Sequence, residues 1–263
     1  MTNSKPRALI LHADGSNRDH EAAQAFELAG ASAEIVHLNQ LRTGEKRWRD
    51  YQLLALPGGF SYADALGAGR LWAIDLNIYF AGEVRAFVES GQPVIGICNG
   101  FQALVKAGLL PDLKTDGGHP EATLTFNERG HFECRWVNLA PKSQGCVWTR
   151  GLTERIYCPV AHGEGRFVLA NPADLAALQT NDQIALTYTL ADGSPAHGAY
   201  PENPNGSIAD IAGVCNLAGN VLGLMPHPED HLFAYQHPRW ARGETAGSGL
   251  KLFANGVQYA EQL

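Results

Sequence analysis

The sequence predicts an α/β fold in which a mostly parallel central sheet is flanked by helices. Short apolar segments alternate with segments of helical periodicity in the first hundred residues, which is typical of βαβ units. No proline-, glycine- or serine-rich linker divides the 263 residues, and 45% of them are hydrophobic. We therefore predict one domain over residues 1–263, with a large core and a small antiparallel addition.

The first elements are buried strands and a helix. Residues 7–13 predict a strand, and residues 19–28 predict a helix with an acidic first turn. Further strands are predicted at residues 33–38 and 52–56. Ligands of parallel sheets collect beyond the carboxyl ends of the strands, so the loops that follow are candidate sites.

The segment QPVIGICNGFQ, residues 92–102, is an apolar run that ends in Cys98 and leads into a helix predicted over residues 101–110. A sharp strand-to-helix turn around one nucleophilic residue is a nucleophile elbow. Gly96 and Gly100 leave room for that turn. A helix N-terminus also favours a thiolate. A core cysteine at the end of a strand is the alternative, but the flanking glycines favour a nucleophile.

A pair of glycines, Gly58 and Gly59, follows the strand at residues 52–56. Paired glycines let backbone N–H groups approach a ligand closely, as an oxyanion hole requires. A tight turn is the alternative. The chain has neither GxxxxGK[ST] nor GxGxxG after a strand, so no nucleotide-phosphate loop is predicted.

The second half predicts a polar connection, antiparallel strands and two helices. The connection covers residues 111–120. The predicted strands are residues 122–126, 132–139, 156–160 and 183–190, with a hairpin from 208–215 and 220–224; the helices are 171–179 and 250–262.

The segment LGLMPHPE places His227 two residues before Glu229. Residues two apart in an extended segment face the same side, and Pro226 and Pro228 discourage a helix. A carboxylate beside an imidazole fixes its tautomer and stabilises the imidazolium, which is what a base serving Cys98 requires. A polar turn with a surface histidine is the alternative.

A rival pair, His162 and Glu164 in AHGEG, has the same spacing. Spacing alone does not choose between the two pairs.

Charge and cysteine content limit which binding partners and which cellular compartment are expected for this chain. The net charge of −7 offers no broad attraction for nucleic acid or an anionic membrane, so neither is an expected partner. Five cysteines without a CxxC pair argue against a disulfide framework or a structural metal site, and no metal is expected. The first residues lack the apolar run of a signal peptide, and a cytoplasmic location is expected.

Five motifs together resemble one family. They are PGGFSYADALGAGR (57–70), GICNGFQALVKAGLLP (96–111), AHGEGRF (161–167), YPENPNGS (200–207) and GLMPHPE (223–229). In this order they resemble the glutaminase subunits of phosphoribosylformylglycinamidine synthase, which are class I (triad-type) glutamine amidotransferases of purine biosynthesis. GICNG and PHPE indicate only the superfamily, whereas GGFSY, AHGEG and NPNGS point to the purine enzyme.

The resemblance implies a class I amidotransferase-like (flavodoxin-like) fold and a residue-by-residue site, in which PHPE and not AHGEG supplies the triad. Cys98 would be the nucleophile, His227 the acid/base and Glu229 its orienting partner. The expected oxyanion and substrate-binding residues are Gly58, Gly59, Asn99 and Gln102, with backbone N–H groups of Gly59 and Asn99 as oxyanion donors.

The implied reaction is hydrolysis of glutamine to glutamate and ammonia through a cysteine thioester. The resemblance also implies a larger synthetase subunit and a small bridging subunit. The synthetase would bind ATP and magnesium and convert formylglycinamide ribonucleotide to formylglycinamidine ribonucleotide, and this chain would hold no cofactor. Asp230 and His231 stand where many relatives have an arginine, and residues 111–150 and 230–250 are longer than in the smallest relatives. The alternatives are a stand-alone PfpI-like cysteine hydrolase and a non-enzymatic module in which Cys98 merely oxidises.

Overall fold

The computed structural model describes residues 5–113 and 121–263, so part of the predicted connection at 111–120 lies outside the described residues. The strands are β1 (Arg7–His12), β2 (Ser32–His37), β3 (Leu53–Leu56), β4 (Val94–Ile97), β5 (Ala122–Thr125), β6 (Glu133–Pro141), β7 (Ile156–His162), β8 (Arg166–Leu169), β9 (Ile184–Thr189), β10 (Ile211–Cys215) and β11 (Val221–Leu224). The α-helices are α1 (Asp19–Leu28), α2 (Leu38–Arg42), α3 (Arg70–Tyr79), α4 (Ala81–Glu89), α5 (Asn99–Lys106), α6 (Leu175–Thr180) and α7 (Leu250–Ala260).

One nine-stranded sheet forms the centre of the molecule, in the order β2-β1-β3-β4-β11-β10-β9-β6-β7. The five strands from β2 to β11 run parallel, and the remaining four extend this sheet with antiparallel pairing. Strands β5 and β8 form a separate antiparallel pair. The predicted α/β class with a parallel core is therefore confirmed.

Strands β3, β4 and β11, in the middle of the sheet, are buried along their whole length, which explains why they appear in the sequence as unbroken apolar runs. Helices α1 and α7 contact each other, α1 against β1 and α7 against β3. Helices α3 and α5 also contact each other, with α5 lying on β3, β4 and β11. No helix within the described residues is long and apolar enough to cross a bilayer.

Most predicted elements are present with shifted ends. The helix predicted over residues 101–110 begins earlier, at Asn99, and ends at Lys106, because Cys98 alone makes the turn from the strand. Helices α3 and α4 were not predicted. They follow each other around Phe80, and α3 keeps Ile74 and Ile78 exposed, which blurs the apolar periodicity.

Candidate active site

Cys98 is the single residue between the end of β4 and the start of α5. Its backbone has φ 49° and ψ −104°, a conformation that costs energy in a residue with a Cβ atom. Gly100 makes room for the turn, since a Cβ atom there would overlap the carbonyl oxygen of Leu56. A Cβ atom on Gly96 would lie 2.8 Å from the carbonyl oxygen of Gly100. The predicted nucleophile elbow is therefore present.

The Cys98 thiol is buried at the carboxyl edge of the parallel sheet. Its Sγ lies 3.7 Å from the carbonyl oxygen of Ala161, which it reaches as a weak donor. The backbone N–H of Cys98 donates to the carbonyl oxygen of Leu224 at 2.8 Å. Because Leu224 ends β11, the next residues along the chain lead directly to His227 at the same edge.

His227 and Glu229 form the predicted buried pair, but not through an extended segment, because Pro228–Asp230 is a short 3-10 helix that begins directly after His227. Nδ1 of His227 lies 2.7 Å from Oε1 of Glu229. Because the carboxylate accepts this bond, Nδ1 carries the proton. Nε2 of His227 is buried and has no hydrogen-bond partner among the described residues, which leaves it free to exchange a proton with the Cys98 thiol.

Electrostatics favour a charged imidazole at this position. Burial by itself lowers the pKa of His227, but Glu229 and the adjacent Cys98 outweigh it. The pKa of His227 is therefore well above its ordinary value. Such an imidazolium can stabilise a neighbouring thiolate and donate a proton to a leaving amine.

The glycine loop after β3 packs directly against this histidine. A Cβ atom on Gly58 would lie 2.6 Å from Cε1 of His227. Gly59 has φ 146°, and a Cβ atom there would lie 2.7 Å from the backbone nitrogen of Asn17. The absence of a Cβ atom therefore lets the loop pack against His227 and against the backbone of Asn17, while its role as an oxyanion hole stays a prediction.

Asn99 and Gln102 use their side-chain amides to join α5 to the loops after β3 and β7. Oδ1 of Asn99 accepts from the N–H of Ser61 at 3.0 Å. Its Nδ2 donates to Oε1 of Gln102 at 3.0 Å and to Oδ1 of Asp64 at 3.1 Å. Nε2 of Gln102 donates to the carbonyl oxygen of Glu164 at 2.7 Å. The roles of the Asn99 backbone and of Gln102 toward substrate stay predictions, since the amide of Gln102 already positions the neighbouring loop.

The rival pair does not form. Nδ1 of His162 lies 3.2 Å from Oδ1 of Asn127, whereas both carboxylate oxygens of Glu164 lie 3.3 Å from the backbone nitrogen of Ala68. Burial, assisted by the nearby His227, lowers the pKa of His162 to about 3. His162 is therefore neutral and cannot take the part of an imidazolium.

A cavity of about 150 Å³ opens beside Cys98. Its polar lining residues include Asp64, Gln102, His162 and Glu164. Its apolar lining residues include Phe60, Phe126 and Phe132. The sequence reasoning assigned no role to Asp64 and did not place Glu164 in the cavity. The signal was present for Asp64, because it lies in the same strand-end loop as the glycine pair.

Asp230 places a second carboxylate close to His227 and Glu229. Burial and Glu229 raise the pKa of Asp230 to about 6, and Nε of Arg18 lies 3.7 Å from its Oδ2. His227, Glu229 and Asp230 offer ligand atoms within 4.8 Å of one another and could hold a metal ion. The short direct bond between His227 and Glu229 instead suits a catalytic pair.

Comparisons with known proteins agree with this arrangement. The profile of the CobB/CobQ-like glutamine amidotransferase domain matches residues 5–260. The chain is 52% identical to the phosphoribosylformylglycinamidine synthase subunit PurQ of Treponema denticola, covering 97% of this chain and 99% of the relative. It is 46% identical to the PurQ subunit of Dehalococcoides mccartyi, covering 99% and 100%.

A solved structure extends the comparison to the fold. The structure of PurLQS from Thermotoga maritima contains a chain that is 33% identical to this one, with a TM-score of 0.74 and coverage of 97% of this chain and 99% of that chain. The resemblance predicted from the five motifs is therefore confirmed. The chain belongs to the CobB/CobQ-like glutamine amidotransferases and, among them, to the family of PurQ subunits of phosphoribosylformylglycinamidine synthase.

Proposed function

We propose that this chain is the glutaminase subunit of a phosphoribosylformylglycinamidine synthase and that Cys98, His227 and Glu229 are its catalytic triad. The observation that carries the proposal is the meeting of Cys98 and the His227–Glu229 pair at one sheet edge. Full-length similarity to PurQ subunits supplies the substrate class. The same similarity disfavours a stand-alone PfpI-like hydrolase and a module that only senses oxidation.

The first half of the reaction forms a thioester. The Cys98 thiolate attacks the carboxamide carbon of glutamine, and the carbonyl oxygen becomes an oxyanion that the N–H groups of Gly59 and Asn99 stabilise. The C–N bond then breaks. The nitrogen takes a proton from Nε2 of His227 and leaves as ammonia.

The second half regenerates the enzyme. Nε2 of His227 takes a proton from water, whose oxygen attacks the thioester carbon. The C–S bond breaks, glutamate leaves, and the thiolate and imidazolium are restored. Glu229 holds the imidazole in the tautomer that these steps need, through its bond to Nδ1.

The ammonia passes to a larger synthetase subunit that binds ATP, magnesium and formylglycinamide ribonucleotide, and a small bridging subunit completes the assembly. Two observations support this part of the proposal. The matching Thermotoga maritima structure is of PurLQS. This chain has neither GxxxxGK[ST] nor GxGxxG after a strand, the two motifs of nucleotide-phosphate loops.

The test replaces Cys98 with alanine in the assembled synthase. Glutamine-dependent product formation should fall by about 10³-fold or more, because the thioester can no longer form. Product formation from added ammonia should persist, which shows that the synthetase site is still active. Glutamine-dependent synthesis equal to that of the wild type would overturn the proposal.

A further inference from the structure

Two carboxylates that the catalytic steps do not use line the cavity beside Cys98. Asp64 belongs to the loop after β3, and Glu164 follows β7. Within residues 5–113 and 121–263, neither has a lysine, arginine or histidine nitrogen within 4.0 Å. Two acidic groups therefore share a small cavity without an ion pair, although the charge of Lys106 acts on both from a greater distance.

Their hydrogen bonds leave much of their acceptor capacity free. Both oxygens of Glu164 share one donor, the backbone N–H of Ala68, and both distances are a long 3.3 Å. Asp64 accepts from Nδ2 of Asn99 at 3.1 Å through Oδ1. A carboxylate offers about four acceptor positions, so each group can accept further N–H donors.

The two carboxylates also repel each other. Burial, and then the charge of Glu164, raise the pKa of Asp64 to about 6. The nearby ammonium of Lys106 donates to the carbonyl oxygen of Leu124 at 3.1 Å, and burial lowers the pKa of Lys106. A cation placed between Asp64 and Glu164 would relieve this repulsion.

His162 gives an independent indication that the cavity receives N–H donors. Its side chain lines the cavity, the residue is 2% exposed, and Nε2 has no hydrogen-bond partner among the described residues. Nδ2 of Asn127 donates to the carbonyl oxygen of His162 at 2.8 Å, so Oδ1 of Asn127 is the acceptor for Nδ1. Nε2 of His162 is therefore left with a lone pair, and a buried acceptor without a donor is costly.

We propose that Asp64 and Glu164 bind the α-ammonium group of glutamine and thereby select the free amino acid over carboxamides that lack this charge. The proposal rests on the proposed function, since it places the substrate carboxamide at Cys98. The α-ammonium at the other end of the substrate supplies N–H donors and a positive charge directly to the unfilled acceptor positions of the two carboxylates.

The test compares glutamine with glutaramate, which is glutamine without its α-amino group. Ammonia release from each is measured with the wild-type complex and with complexes that carry Glu164→Gln or Asp64→Asn. Either variant should raise the KM for glutamine by about 10- to 100-fold, the loss expected for a charge-assisted hydrogen bond, and should change kcat much less. Neither should change the KM for glutaramate.

The control is Glu128→Gln, which removes an exposed carboxylate and should change neither KM. Each test variant keeps the oxygen that accepts its internal hydrogen bond. A second measurement needs no variant. The preference of the wild type for glutamine over glutaramate should weaken below about pH 6, as Asp64 becomes protonated.

Equal increases in KM for glutamine and for glutaramate would show that the two carboxylates only position the loops. This result would overturn the inference and leave the proposed function intact. A wild-type complex that does not prefer glutamine over glutaramate would also overturn it. A wild-type complex that hydrolyses neither substrate would overturn the proposed function itself, and the inference with it.

Discussion

The backbone N–H of Cys98 donates to the carbonyl oxygen of Leu224 at 2.8 Å, and this bond joins the two segments that carry the proposed catalytic residues. It continues the parallel pairing of β4 with β11, in which Ile97 lies opposite Leu224. Both strands end at the same edge, so the nucleophile and His227 meet although they are far apart in the sequence. The pairing of these two strands therefore determines where Cys98 lies relative to the segment that carries His227.

Replacing Glu229 with glutamine should lower kcat for glutamine hydrolysis by roughly 10²- to 10⁴-fold, because the imidazolium loses the negative charge that stabilises it. KM should change little, since Glu229 contacts His227 and not the substrate. Steady-state kinetics of the assembled complex measure both constants. An unchanged kcat would contradict the role of Glu229.

Replacing Gly58 with alanine should lower kcat by about 10²-fold, because the new methyl group lies 2.6 Å from Cε1 of His227 and displaces the ring. The backbone of Gly58 is not in the left-handed region, so alanine adds no backbone strain there. We therefore expect kcat to fall while the thermal stability of the protein changes little. Ammonia release and thermal unfolding together separate the two. Wild-type kcat in a folded Gly58→Ala protein would show that the imidazole tolerates the contact.

Replacing Gly100 with alanine should instead lower the stability of the folded protein. The methyl group would overlap the carbonyl oxygen of Leu56, which is part of a buried strand and cannot move aside. We expect a loss of about 3 kcal/mol or more in the free energy of unfolding. Urea denaturation measures it.

The matched control for that substitution is Gly82→Ala in the first turn of α4, where a Cβ atom meets nothing within 4 Å. The control should be neutral or slightly stabilising, by up to about 1 kcal/mol. If Gly100→Ala lowers the free energy of unfolding no more than Gly82→Ala does, the elbow does not require glycine at position 100.

His162 should make the stability of the protein depend on pH. Its pKa falls from 6.5 in ordinary surroundings to about 3 in the folded protein, so unfolding takes up a proton below pH 6.5. Its contribution is therefore fully present above pH 6.5 and is lost as the pH falls toward 3, by at most about 1.4 kcal/mol per pH unit.

The measurement is the free energy of unfolding between pH 7 and pH 5 for the wild type and for His162→Gln. The wild type should lose about 2 kcal/mol more than the variant over this interval. His20→Gln, at an exposed histidine, is the matched control for the loss of a ring. Parallel pH profiles for the wild type and His162→Gln would contradict a neutral, buried His162.

The local motifs were readable from the sequence alone because each depends on only a few consecutive residues. The elbow at Cys98 is predicted by an apolar run, a cysteine and two glycines. The contact between His227 and Glu229 is predicted by their closeness in the sequence, although the structure makes it through a short 3-10 helix and not through the extended segment that was expected. The close approach of the loop at Gly58 and Gly59 after β3 was predictable for the same reason. These features need no knowledge of how the strands are ordered in the sheet.

Other features depend on contacts between distant parts of the chain. The spacing of AHGEG equals that of PHPE, and only packing shows that Asn127 binds His162 while Glu164 reaches the backbone of Ala68. The shared cavity of Asp64 and Glu164 likewise exists only because two strand-end loops approach each other. The sequence by itself determined the segments that contain Cys98 and the His227–Glu229 pair, whereas strand order and burial decided which groups face Cys98, because spacing along a chain constrains near neighbours alone.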